Sequence, residues 1–486
     1  MLKITSGNDR AFGFQSLWET APNTSDTSMK ASYARPYFES SVVALVITLL
    51  PSRVLAYAAP FICMVWFVVR SCSGKTLYRV VSFFLAFCAA LALYTWLYSF
   101  NGVRFLAGNA VVAAISYGTV ILLLVLPGKG VATEHFDYTR YAVVLKYVIL
   151  AEGLVGILQF LIVSLTGRFD VLSSDAVQGT IGLTAFVTES EGFGNQMFSI
   201  NMALFLTLFA PYALTHRNSA CVFLIGLLSL VLAGVLHVFI ALLVSVVFTV
   251  LCYRRNILLS DIQKMFFVTS TAAVLLLSIE FVFPGVSRSA NIFLRLYQQG
   301  DSPKLQAVRT ALHRLPDQYP LVYAIGLGPG QYSSRAGLMS SGEYFGEKLW
   351  FMPNEVSQPF KEHVWRMWRT YNRKAASFGN STMHRPFFSL LSVFAEFGLV
   401  GMGLSVGFAS FLLVRLRRLF LHYQGRDKVN SHLSFCLAVA ILTVIVISFF
   451  ENYLETTQAI LPGLMLAKVF YRQVVDGTGH VQNVVR

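Results

Sequence analysis

The sequence predicts an all-α integral membrane protein with about twelve transmembrane helices and one large helical loop outside the bilayer. Three observations carry that prediction. Hydrophobic residues make up 55% of the 486 positions and charged residues only 13%, where soluble domains carry about 25% charged. The apolar residues gather into runs of membrane-crossing length, and the mean hydropathy is +0.61. One long polar segment, residues 284–385, interrupts those runs late in the chain.

The elements follow in order. Residues 1–37, opening "MLKITSGNDRAFGFQSLWETAPNTS", are too polar for a cleaved signal and are expected as a cytoplasmic tail. Crossing the hydrocarbon takes about 20 apolar residues, fewer where the bilayer thins. Nine runs within 38–283 qualify, near 38–50, 54–70, 79–97, 104–127, 141–164, 197–215, 220–234, 236–252 and 265–283, with an external loop at 165–196. Three more, near 399–415, 432–450 and 459–472, lie within 386–472, and residues 473–486 form a second cytoplasmic tail. The 38–70 and 220–252 stretches are divided only by "LLPSR" and by Gly234, so each also fits one long helix.

Charge in short loops sets orientation. "YRRNILLSDIQK" (253–264) and "RLRRLFLHYQGRDK" (415–428) are strongly basic and belong inside, which puts both termini inside as well. The six cysteines, Cys63, Cys72, Cys88, Cys221, Cys252 and Cys436, have neither disulfide-scaffold nor zinc-ligand spacing. Loop 284–385 is too long to be structureless and should fold as helices that carry function. It holds thirteen Lys/Arg against six Asp/Glu, a balance of +7. Nine of those cations are arginines, the residue suited to bidentate phosphate recognition. A single arginine is more simply read as a contact with anionic lipid heads; nine in one external domain call for a polyanionic ligand.

Three local patterns stand out. "GLGPGQY" (326–332) reads as a turn, with no following Lys-Ser/Thr that would make a nucleotide site. "VWRMWRTYNRK" (364–374) sets Trp365, Trp368 and Tyr371 among arginines, as a sugar-stacking face or an interfacial belt. Glu396, a carboxylate in an apolar helix, is expected to face a polar groove near the outer surface.

Arg309 stands seventeen residues before "GLGPGQY", and "MHR" (383–385) opens a helix that runs into "EFGLVG" (396–401). Earlier, "AFVTESEGFGNQ" (185–196) places Glu189 after the first external loop. With the late hundred-residue loop, this resembles the O-antigen polymerase (Wzy-type) and O-antigen ligase superfamily of polytopic membrane glycosyltransferases. The resemblance covers the topology of the chain, with motifs over about sixty residues. It implies a GT-C-like fold in a bacterial inner membrane, with the active site facing the periplasm. The fourteen positions from His384 to Gly398 exceed the ligase spacing, which favours a polymerase. The Ser-Arg pair that members often carry between two short helices is absent; the chain reads "AGVLHVF" (233–239), and His237 there is read as a buried, satisfied histidine. Arg168–Gly179 and Arg335–Gly346 match an Arg-x10-Gly spacing of some polymerases, a match that chance also supplies.

The chemistry implied is transfer of an O-antigen or exopolysaccharide repeat unit from undecaprenyl pyrophosphate to a sugar hydroxyl. The hydroxyl must lose a proton as it attacks, which asks for a base. His384 is the first candidate and Glu189 the second. The leaving diphosphate asks for fixed positive donors, with Arg288, Arg309 and Arg385 first and Arg168 and Arg295 behind them. No Asp-x-Asp pair occurs, so neither metal nor cofactor is expected. The expected partners are the undecaprenyl-pyrophosphate-linked oligosaccharide, membrane lipids and a chain-length regulator protein, not nucleic acid. Two alternatives stay open: a ligase acting on lipid A-core, and a flippase for lipid-linked oligosaccharide.

Overall fold

The computed structural model describes residues 34–50, 52–71, 74–99, 104–125, 138–166, 176–183, 194–253, 285–343, 350, 352–353, 355–374 and 385–484. Among these residues the regular structure is helical throughout. Seven helices are long and apolar enough to cross a membrane: Leu77–Ser99, Ala107–Leu124, Tyr141–Leu165, Gly194–Thr215, Leu236–Tyr253, Ser389–Tyr423 and Lys428–Ile447. Shorter or more polar helices occupy Ala34–Leu49, Arg53–Ser71, Arg217–Ala233 and Thr457–Val484. The expected segment 265–283 lies outside the described residues. Both doubtful pairs are two helices. The second is divided where Gly234 takes a left-handed conformation (φ 68°) that caps the helix before it.

The core forms around Gly194–Thr215, whose residues are buried on nearly every side. That helix is surrounded by Tyr138–Leu165, Arg217–Ala233, Lys428–Ile447 and Thr457–Val484. Phe198, Phe205 and Phe209 fill the space between them. By contrast, Leu399, Leu404, Phe408 and Phe411 on the late long helix stay exposed, as a lipid-facing side requires.

The bundle has two chemically distinct ends. At one, Tyr253 Oη donates to the Leu413 carbonyl at 3.0 Å and Arg417 Nε to the Cys252 carbonyl at 2.8 Å. Asp427 caps the Lys428–Ile447 helix there by accepting from the amides of Val429 (3.0 Å) and Asn430 (3.1 Å). The two basic segments read as interior therefore begin from the same end. At the other end, the Ser389 amide donates to the Glu451 carbonyl at 3.2 Å, which brings the start of the Ser389–Tyr423 helix against the turn before Thr457–Val484.

The described residues of 285–374 fold as short helices, and Leu315, Tyr332, Phe360, Val364 and Phe387 form a core together with Tyr98 of the Leu77–Ser99 helix. The helical run from Pro303 continues through a π-helical turn and Pro316 to Gln318. The three glycines of "GLGPGQY" do form a turn, all at positive φ (72°, 93° and 73°). The late helix is interrupted at Gly398 (φ 63°, ψ −160°), so its first nine residues form a separate helical piece. The 25 residues beyond it cover about 37 Å, enough to cross the bilayer.

Candidate functional site

The glycine turn lies back to back with the helix break. Leu327 and Gly328 donate their amides to the carbonyls of Ala395 and Glu396, each at 2.8 Å, completing helix bonds that Gly398 interrupts. Glu396 is fully buried and faces no groove, contrary to expectation. Its Oε2 accepts from the Gly330 amide at 2.7 Å and Tyr117 Oη at 3.2 Å. Its Oε1 accepts from the amides of Tyr332 at 3.0 Å and Ser334 at 3.3 Å. Tyr94 Oη donates to the Ile325 carbonyl at 2.7 Å, and Tyr98 Oη bonds the Gly326 carbonyl.

This loop delivers Arg335 to a buried charge cluster. The Arg335 amide donates to Glu455 Oε2, and Arg335 Nη2 pairs with Glu451 Oε1. Arg385 Nη1 reaches the same Glu451 oxygen at 2.5 Å and also donates to the Tyr371 hydroxyl. Lys304 donates from Nζ to the Phe450 carbonyl, with its ammonium 5.6 Å from the Phe388 ring centre. Asn452 holds the turn in place, donating to the Ser333 carbonyl at 2.7 Å. Glu451 and Glu455 are 3% and 5% exposed, so these charges meet where water screens little.

Environment splits the two carboxyls. Burial alone would raise Glu451, but the guanidiniums of Arg385 and Arg335 outweigh it and hold the group down to about 2. Burial, reinforced by the Glu396 carboxylate, pushes Glu455 up to about 8. Burial also pulls the Lys304 ammonium down to about 7. Near neutral pH, then, two permanent cations and a partly protonated lysine face one ionised carboxylate. Such a cluster of cations, held by carboxylates out of reach of water, is suited to meeting an anionic group.

Of the residues expected at the site, Arg385 joins this cluster. Arg309 and Arg295 lie exposed on their helices and outside it. Arg288 falls in the Gly285–Gln298 helix, but its side chain is outside the described set. His384, Glu189 and Arg168 lie outside the described residues. His237 is buried, and its Nε2 is 2.9 Å from Tyr453 Oη, beside the same turn. The aromatic helix is mainly packing: Trp368 stacks on Phe387 at 6.4 Å, and Arg369 covers Trp365 at 3.9 Å.

Sequence reading passed over Lys304, Glu451, Asn452 and Glu455. A signal existed for the carboxylates. "ENYLET" (451–456) sets two of them four residues apart, directly after an apolar run. Among the described residues, no group of three or more His, Cys, Asp or Glu could hold a metal ion. Comparison with known proteins finds no match to a family model, a curated protein or a solved structure.

Proposed function

We propose that this protein is a membrane glycosyltransferase that polymerises lipid-linked glycan repeat units at the outer face of a bacterial inner membrane. In this reading the described helices and segment 265–283 make about twelve spans of a GT-C-like fold. The observation that carries it is the convergence of Arg335 and Arg385 on the buried Glu451 carboxylate at one end of the bundle. A flippase would carry cations along its membrane passage instead.

An acceptor sugar hydroxyl attacks the anomeric carbon of the donor. The new glycosidic bond forms as the bond from that carbon to the lipid diphosphate breaks, and the electron pair leaves with the diphosphate. Arg335 and Arg385 meet the charge that develops there, with Lys304 behind them. Glu451 holds both guanidiniums in one orientation. The hydroxyl proton passes to a base, with His384 the first candidate and Glu189 the second. Arginines supply the positive charge, so catalysis is metal-independent.

The test is formation of a glycan ladder in vitro by purified, monodisperse protein supplied with undecaprenyl-pyrophosphate-linked repeat units. Arg385→Ala should lower the rate by about 10²–10³, and Arg385→Lys should recover only part of it, because an ammonium lacks the two-pronged geometry. His384→Ala should lower it by about 10²–10⁴, with residual activity rising with pH. A chelator should change nothing. Wild-type ladders from Arg385→Ala, or activity lost on chelation and restored by magnesium, would refute the arginine-centred mechanism.

A further inference from the structure

A fully buried carboxylate in an apolar helix is costly unless it is bonded throughout, and a leucine would suit the position better. Yet Glu396 is 0% exposed, and all four of its donors come from outside its own helix. Three of them are alternate amides of one loop, at Gly330, Tyr332 and Ser334. The fourth, Tyr117, reaches in from the π-helical turn Ala114–Gly118, a feature often kept where function needs a side chain re-aimed. Directly after the last of these amides comes Arg335. Its own amide is held by a second carboxylate, Glu455, and its guanidinium by a third, Glu451.

We propose that Glu396 is a positioning residue: by collecting the amides of Gly330, Tyr332 and Ser334, it sets where the Arg335 guanidinium stands beside Glu451. A small shift of the loop would swing Arg335 out of register with Arg385, so two cations would no longer face one ligand. What Arg335 grips, a diphosphate, rests on the function proposed above. That Glu396 places Arg335 rests on the geometry alone.

The experiment uses full-length, monodisperse protein: wild type, Glu396→Gln and Tyr117→Phe, each with and without Arg335→Ala. The Gln side chain puts an N–H donor where an amide expects an acceptor. Tyr117→Phe removes one bond and leaves the loop's own residues intact, so it serves if the Gln variant does not fold. The first readout is modification of Arg335 by an arginine-selective dicarbonyl, followed by mass spectrometry. Arg335 is 5% exposed and should be protected in the wild type. Its modification should quicken about tenfold in Glu396→Gln and a few-fold in Tyr117→Phe. Wild-type protection in both variants would overturn the proposal. The second readout is affinity for inorganic pyrophosphate by calorimetry. Glu396→Gln should weaken it about tenfold when Arg335 is present and less than about twofold when residue 335 is Ala. An equal loss in both backgrounds overturns the proposal, because Glu396 would then act independently of Arg335. If Arg335→Ala by itself leaves pyrophosphate binding unchanged, the diphosphate reading fails instead, and the dicarbonyl rates still decide the positioning role.

Discussion

Arg335 and Arg385 share one oxygen of Glu451, so removing that carboxylate takes an ion-pair partner from both guanidiniums at once. Glu451→Ala should cost about 3–5 kcal/mol, the penalty for breaking a buried ion pair on one side. Denaturant unfolding in detergent measures it, and a loss below about 1 kcal/mol would mean the cluster is open to water. Glu455 gives a pH signature. Its carboxyl is raised from 4.5 to about 8, so the native state keeps a proton that the unfolded chain has lost across that interval. Its contribution is fully present below pH 4.5 and is lost as pH rises through about 8. Lys304 runs the other way, from 10.5 down to about 7; its contribution is present above pH 10.5 and is lost as pH falls through about 7. Glu455→Gln imitates the protonated form and can still accept from the Arg335 amide. It should match wild type at pH 5 and exceed it at pH 8.5 by a few kcal/mol, since each pKa unit is about 1.4 kcal/mol. The same difference at both pH values would place the titration elsewhere.

At the scale of elements, the same device appears twice. Buried Glu152 accepts from the Thr180 amide at 3.0 Å and also bonds the Thr180 hydroxyl. This pins the segment that carries Gly179 at φ 60° against the Tyr138–Leu165 helix. Glu396 pins the later glycine turn likewise. Irregular backbone buried away from water needs acceptors from the protein itself, and a helix carboxylate provides them. The close crossing of Gly326 and Gly398 makes the arrangement brittle. A Cβ at Gly398 would lie 2.5 Å from the Ala324 backbone, in a conformation that L residues avoid. Gly398→Ala should therefore cost more than about 2 kcal/mol. Gly403→Ala, on the same helix with nothing within 4 Å, should be neutral or gain up to about 1 kcal/mol. Thermal unfolding of the two variants side by side checks the contrast, and equal stability would mean the crossing relaxes.

For the whole molecule, the two ends of the bundle must lie on opposite sides of the membrane if the proposed function holds. Trp350, 91% exposed in segment 284–385, and Arg426, in the turn before Lys428–Ile447, mark those ends. In intact cells carrying a cysteine-free background, Trp350→Cys should react with an impermeant maleimide. Arg426→Cys should react only after the membrane is opened. The reverse pattern would turn the charge cluster toward the cytoplasm and remove it from the lipid-linked donors on the outer face. The prediction belongs to this scale because no single loop decides orientation; the summed charge of the short loops does.

Apolar runs, the breaks between them and the glycine turn were legible without any structure. The helices ending at Leu49 and Ala233 stop at "LLPSR" and Gly234, which the sequence marked as breaks while leaving one long helix open at each, and Gly326, Gly328 and Gly330 take the conformations their residue type permits. Each depends on hydrophobicity or backbone sterics within a few neighbouring residues, and such preferences are written locally. Only the tertiary structure decided which charges meet. Arg335 and Glu451 are 116 positions apart, Arg309 is exposed although it precedes the glycine turn as the resemblance required, and Glu396 is sealed by amides of a loop 62 to 66 positions away. A charge in a sequence has a sign but no direction. Its partner is chosen by how the helices pack, and burial then makes that choice matter by strengthening every pair it encloses.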